Sequence, residues 1–209
     1  MGTSKRRLNK TVTKMLEGKS VHTIRNEIQK ITAVVLNEDV IKSYLNEEEV
    51  QTTLKVIDQK ISTLKSAGYK GKTLEELEKE QITREEFLEE IISEIEKVTP
   101  IKSKLLKKAL KIAMAEAIKD ELDIYIFANL FFYHFIYLLL EQELFDSLRT
   151  VKDDLSSKQV KQILKQIADQ IFKDKLISQI EKFIQKNISL SKVIGMIEKA
   201  TQDIVLGEF

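Results

Sequence analysis

No cysteine occurs anywhere in this sequence of 209 residues. That excludes a disulfide framework, a zinc knuckle, an iron–sulfur ligand set and a cysteine nucleophile, and it fits a reducing compartment. Proline occurs once and glycine six times. An all-β fold needs many tight turns, and this chain has too little turn chemistry to make them. Histidine occurs twice, at His22 and His134, so acyl-transfer dyads have almost no material. No Glu-x-x-His step is present, which excludes a di-iron bundle. The phosphate loop Gly-x-x-x-x-Gly-Lys-Ser/Thr, the dinucleotide turn Gly-x-Gly-x-x-Gly and the nucleophile elbow Gly-x-Ser-x-Gly are missing as well. No enzymatic activity, cofactor or metal is therefore expected. The first residues lack the apolar run of a signal peptide, so a cytoplasmic location is expected.

What is present reads as helix. Hydrophobic residues make up 43% and charged residues 32%, a folded composition. Lys, Glu and Leu are good helix formers, but the abundant Ile is a poorer one, so periodicity must decide. It does. Val21, Ile24, Ile28, Ile31 and Val35 share one helical face, and so do Val50, Leu54, Ile57, Ile61 and Leu64. Val160, Ile163, Leu164, Ile167 and Ile171 repeat the pattern, and Val193, Ile194 and Ile197 end it, with Ile204 as a further member. Cap residues mark the starts. Ser20 and Asn46 suit the N-cap position, and Thr73 with Glu76, Thr83 with Glu86 and Ser156 with Gln159 spell capping boxes. Pro100 suits the first turn of a helix running from about Ile101 to Lys119. The expectation is an all-α multi-helix bundle of about nine helices around a buried apolar central helix at 124–147. The best breaks divide it into an N-terminal helical region, 1–99, and a C-terminal bundle, 100–209.

Charge is balanced overall, at +1, but uneven along the chain. Residues 1–30 hold eight Lys/Arg against Glu17 and Glu27, and residues 71–98 hold ten Glu against four cations. Residues 101–112 then carry five Lys and no acid. Blocks of this kind let the solvated faces of neighbouring helices attract one another.

Two segments are candidate sites. The first is the uncharged run Ile124–Leu140. Seventeen residues is the lower limit for a membrane span, and acids rather than Lys/Arg flank both ends, so a core helix and no membrane are expected. Within it Tyr125, Asn129, Tyr133 and Tyr137 recur in steps of four, a polar stripe that suits an amphipathic pocket or a partner groove. His134 lies on the same helix, without the companion a metal or haem would need.

The second segment is Gly18-x-Ser20-x-x-Thr23-Ile24-x-x-x-Ile28. This spacing resembles part of a helix-turn-helix, in which Gly makes the turn and Ser caps the second helix. The resemblance implies DNA contact, with Arg6, Arg7, Lys10, Lys14, Lys19 and Arg25 as candidate phosphate ligands. The leading expectation remains a non-enzymatic adaptor or regulator that binds another protein, one that masks a transcription or signalling factor being an example, with a homo-oligomer as one form of it. A DNA-binding regulator using residues 5–36 and an apolar small-ligand carrier using 124–140 are the alternatives. The carrier needs a closed cavity of about 300 Å3 or more beside Tyr133 and His134.

Overall fold

The computed structural model describes residues 2–101, 103–119, 122–151 and 155–207, leaving aside the side chains of residues 2–7 and 9. Among the described residues there are eleven α-helices and no strand. The chain is an all-α multi-helix bundle with a central apolar helix. The helices are α1 (Gly2–Leu16), α2 (Val21–Val35), α3 (Glu38–Lys42), α4 (Glu47–Ala67), α5 (Leu74–Lys79) and α6 (Gln81–Val98). They continue with α7 (Lys104–Ala117), α8 (Ile124–Arg149), α9 (Ser157–Ile171), α10 (Asp174–Ile184) and α11 (Leu190–Ala200). A 3-10 turn, Thr201–Asp203, follows.

The caps place these boundaries. The Ser20 hydroxyl accepts the Thr23 N–H, and the Asn46 carboxamide accepts those of Glu48 and Glu49. Full capping boxes form at Thr73–Glu76 and Ser156–Gln159. The box expected at Thr83 does not form. Glu80 (φ −95°, ψ 97°) breaks the helix three residues earlier, and its carboxylate accepts from the Thr83 hydroxyl instead. Pro100 lies outside a helix, because the Ser103 hydroxyl caps α7 and sets its start at Lys104. The count exceeds nine because Asn37 caps a short helix of its own, and because the apolar stripe after Ile171 restarts at Asp174. Ile204 is not part of a helix; it turns the chain extended, at φ −74° and ψ 129°.

Two compact units can be recognised, each assembled from segments distant in sequence. The first comprises residues 1–43, 136–179 and 191–209. Within it α2 packs on α1 and on the 3-10 turn. Ile24, Ile28 and Ile31 of α2, Ile163 and Ile167 of α9, and Val193 and Ile197 of α11 are all fully buried. The second unit comprises residues 44–135 and 180–190, with α6 packed against α4, α5 and α7. Its core includes Ile57, Ile61, Leu77, Ile95, Ala113 and Phe183, and the Phe132 ring meets Phe183 edge-on at 6.2 to 6.3 Å, as Phe135 meets Tyr44. The expected break between residues 99 and 100 falls inside this second unit.

The uncharged run keeps going as helix well beyond Leu140. In the first half of α8, Phe127, Ala128, Phe131, Phe132 and Phe135 are buried, while Tyr125, Ile126, Asn129, Leu130 and Tyr133 stay half-buried or exposed. In the second half Leu140, Glu143, Leu144, Ser147 and Leu148 are buried, and Gln142, Asp146 and Arg149 are exposed. The exposed side is therefore not the same in the two halves. That is why the sequence reads as apolar on every face.

Between α4 and α5 the chain reverses at Lys70-Gly71, both with positive φ, as a two-residue hairpin loop of the primed type requires. Tyr69 and Lys72 exchange both backbone hydrogen bonds, at 2.8 and 2.9 Å. Gly68 before it sits at φ 70°, ψ −164°, a region only glycine enters freely, and a Cβ there would stand 2.2 Å from the Lys72 carbonyl oxygen. Gly71 has open space around it. Gly68→Ala is expected to destabilise the chain by about 3 kcal/mol or more in urea unfolding, and Gly71→Ala by about 1 kcal/mol. Equal costs would contradict this reading of the turn.

Candidate functional site

The basic N-terminal segment does fold as two helices joined across a glycine. Gly18 takes φ 71°, Ser20 caps α2, and Ile24 and Ile28 are buried as the motif requires. The candidate phosphate ligands are not equally free, however. Lys10 and Lys14 are exposed. Lys19 pairs with Glu27, and this hydrogen bond holds the Glu27 carboxyl below the usual carboxylate range. Arg25 is half-buried, with its Nε closed off from solvent. The side chains of Arg6 and Arg7 lie outside the described ones. The outward side of α2 carries His22, Asn26, Gln29 and Lys30, a face that is mostly neutral.

The acidic block behaves as a solvated face matched by its neighbours. Lys60 of α4 reaches Glu94 at 2.6 Å and Glu90 at 3.8 Å, and Lys70 reaches Glu86 at 2.8 Å. Lys107 and Lys111 of α7 pair with Glu96 and Glu89. Acidic α6 is thus bracketed by cations from two helices and a loop, the attraction the charge blocks imply. Such pairs are exposed or half-buried at the surface and each contributes little, about 0 to 1 kcal/mol.

The tyrosine stripe on α8 is brought together by the helical period alone. Tyr125, 36% exposed, stands at the start of the helix, where the Asp123 carboxylate accepts its backbone N–H at 2.7 Å. Asn129 and Tyr133 follow on the same side, half-buried, flanked by Ile126 and Leu130. The Asn129 Oδ1 is closed off from solvent with no hydrogen-bond partner. Tyr137 continues the stripe one turn later; burial pushes its phenol above the ordinary tyrosine range, and the Glu141 carboxylate adds to this. His134 is set apart. Its Nε2 lies 2.7 Å from Glu116 Oε2 of α7, and the Tyr133 ring stands edge-on to it. That partner accounts for the histidine within the fold. No group of three His, Asp or Glu side chains that could hold a metal ion occurs among the described residues.

An apolar cavity does adjoin α8, but on its buried side. It is lined by Tyr44, Val50, Leu54, Leu110, Phe127 and Phe131, and its volume is about 30 Å3. That is about one water molecule's share of the liquid, and a tenth of what a carrier would need beside Tyr133 and His134. By length and composition α8 is a helix that could cross a membrane; half of its most apolar stretch is buried inside the protein.

Glu143 was legible only as an acid ending the apolar run. It is 4% exposed, accepts from Gln142 at 2.5 Å through Oε1, and leaves Oε2 buried without a partner. Its position, three residues beyond Leu140 on a helix that does not stop there, is the signal that could have marked it. No protein-family model matches this chain, and no curated protein and no solved structure matches it either.

Tyr137 and Tyr69 titrate late, Tyr69 because of burial and then its hydrogen bond to Glu90. Their raised values favour the neutral phenol in the folded chain. The stability this gives is complete below the unfolded tyrosine value of about 10 and is lost as pH rises through the folded values. A spectrophotometric titration should show tyrosine ionisation above the ordinary range, and Tyr137→Phe and Tyr69→Phe should each diminish it. A single transition near the ordinary value would contradict the burial of both.

Proposed function

We propose that this chain is a non-enzymatic helical adaptor or regulator, and that it binds a protein partner through the half-exposed tyrosine side of α8. The observation that carries the reading is the grouping of Tyr125, Asn129 and Tyr133 with Ile126 and Leu130 on one side of a helix whose other side is core. Tyrosine joins a large apolar body to a polar tip, and it is enriched where partners dock for that reason. A cytoplasmic, water-soluble protein fits the reading: acids flank the uncharged run at both ends, and the absence of cysteine suits a reducing compartment. The partner is either another protein or a second copy of the chain.

A photo-crosslinking residue at Tyr125 tests this, with the same residue at exposed Lys165 of α9 as the comparison. In the native cell the first should give a discrete adduct that the second does not. With that partner purified, Tyr125→Ala should weaken binding about tenfold, or 1.4 kcal/mol, and leave folding within about 0.5 kcal/mol. The proposal fails if the two positions give the same adducts, or if the chain is a strict monomer that forms none.

A further inference from the structure

Beside Tyr125, in the second compact unit, residues of α4, the start of α8 and the end of α10 line a surface groove of about 550 Å3. Leu54, Ile124, Tyr125 and Ile184 make it apolar, and the exposed side chains of Lys55, Asp58 and Lys186 charge it. Lys186 stands at φ 60°, the left-handed position just past a helix that more often falls to glycine or asparagine. Among the described residues neither Lys55 nor Lys186 meets an acid, whereas Lys60, Lys70, Lys107 and Lys111 all pair with α6.

A matching turn stands elsewhere in the same unit. Ile82, at the start of α6, is 76% exposed, more than any other large apolar side chain described. Glu85 follows one turn later on the same side of the helix. Among the described residues of the acidic block, only Glu78 and Glu85 carry carboxylates that neither meet a lysine nor close a capping box. Glu85 accepts from the Gln81 carboxamide alone, at 2.8 Å, and the Arg84 guanidinium turns back to the Glu78 carbonyl.

We propose that the groove beside Tyr125 receives the Ile82–Glu85 turn of a second copy of this chain. The proposal rests on the reading of the tyrosine side as a docking surface, and it names the occupant. Charge selects that occupant: two lysines without an acid stand on the groove, and a glutamate without a cation stands on the turn. Apolar exposure selects it again, because Ile82 and the Tyr125 ring leave water together. Asp58 opposes the attraction, but the two lysines outnumber it. Each copy carries both halves of the contact, so two copies about a twofold axis make it twice.

Sedimentation equilibrium of the full chain at about 200 µM in low salt is the test. It should show a dimer or a larger assembly, a concentration suited to a small interface. Ile82→Asp and Tyr125→Ala should each weaken association at least about tenfold. Glu85→Lys alone and Lys55→Glu alone should do the same, since each sets like charges against one another. An equimolar mixture of those two variants should associate as the unaltered chain does, because every turn then meets a groove of opposite charge. These side chains are exposed, so circular dichroism should find each variant folded. A strict monomer, an assembly that Ile82→Asp or Tyr125→Ala leaves intact, or a mixture no more associated than its components would each overturn the inference. The tyrosine reading falls separately: a monomer whose Tyr125 crosslinks to a different protein refutes the second copy and leaves that reading standing.

Discussion

The rest of this structure depends on keeping water away from α8. A helix of 26 residues that begins with seventeen uncharged ones cannot be left bare in water, and each half is buried by a different set of helices. Phe127, Phe131, Phe132 and Phe135 form the core of one unit with Phe183, and Leu140, Leu144 and Leu148 join the core of the other. Fully burying one such side chain contributes about 1.5 to 3 kcal/mol. The surrounding helices are amphipathic in the ordinary way, and their apolar stripes have a clear counterpart to cover. What remains uncovered on α8 then becomes informative, because the side carrying Tyr125, Asn129 and Tyr133 is neither fully core nor fully polar.

Charge plays a secondary part. Lysines of α4 and α7 meet the glutamates of α6 as surface pairs, exposed or half-buried, where salt screens them and each contributes little. They organise the surface and favour particular neighbours, while apolar burial supplies the stability. The same reasoning applies to Lys19 and Glu27. A cation already paired on its own chain has less to offer a phosphate than the exposed Lys10 and Lys14.

Much of the fold could be read from residue spacing, because its causes are local. Ser20, Asn46, Thr73 and Ser156 cap helices as their side chains dictate, and the stripes of α2, α4 and α9 bury the residues their period selects. Where local chemistry offered two answers, the fold chose between them. Thr83 lost its cap to the break at Glu80, and Pro100 lost its helix to the cap at Ser103. The candidate sites were legible in part. The tyrosine stripe follows from steps of four, but its half-exposure does not, since the run looks equally apolar all round. The groove beside Tyr125 gave no warning, because Lys55, Ile124 and Lys186 come to it from segments distant in sequence. Side chains gathered in that way leave no periodic trace, and neither does a buried carboxylate such as Glu143.

Hydrogen exchange of the whole chain in plain aqueous buffer, read peptide by peptide, tests the central claim most directly. If α8 is enclosed by the protein's own helices, its amides from about residue 128 to 144 exchange slowest of all, opening only with global unfolding. An α8 that exchanges as fast as the exposed turns, or a chain that protects α8 only when detergent or lipid is added, would contradict the account.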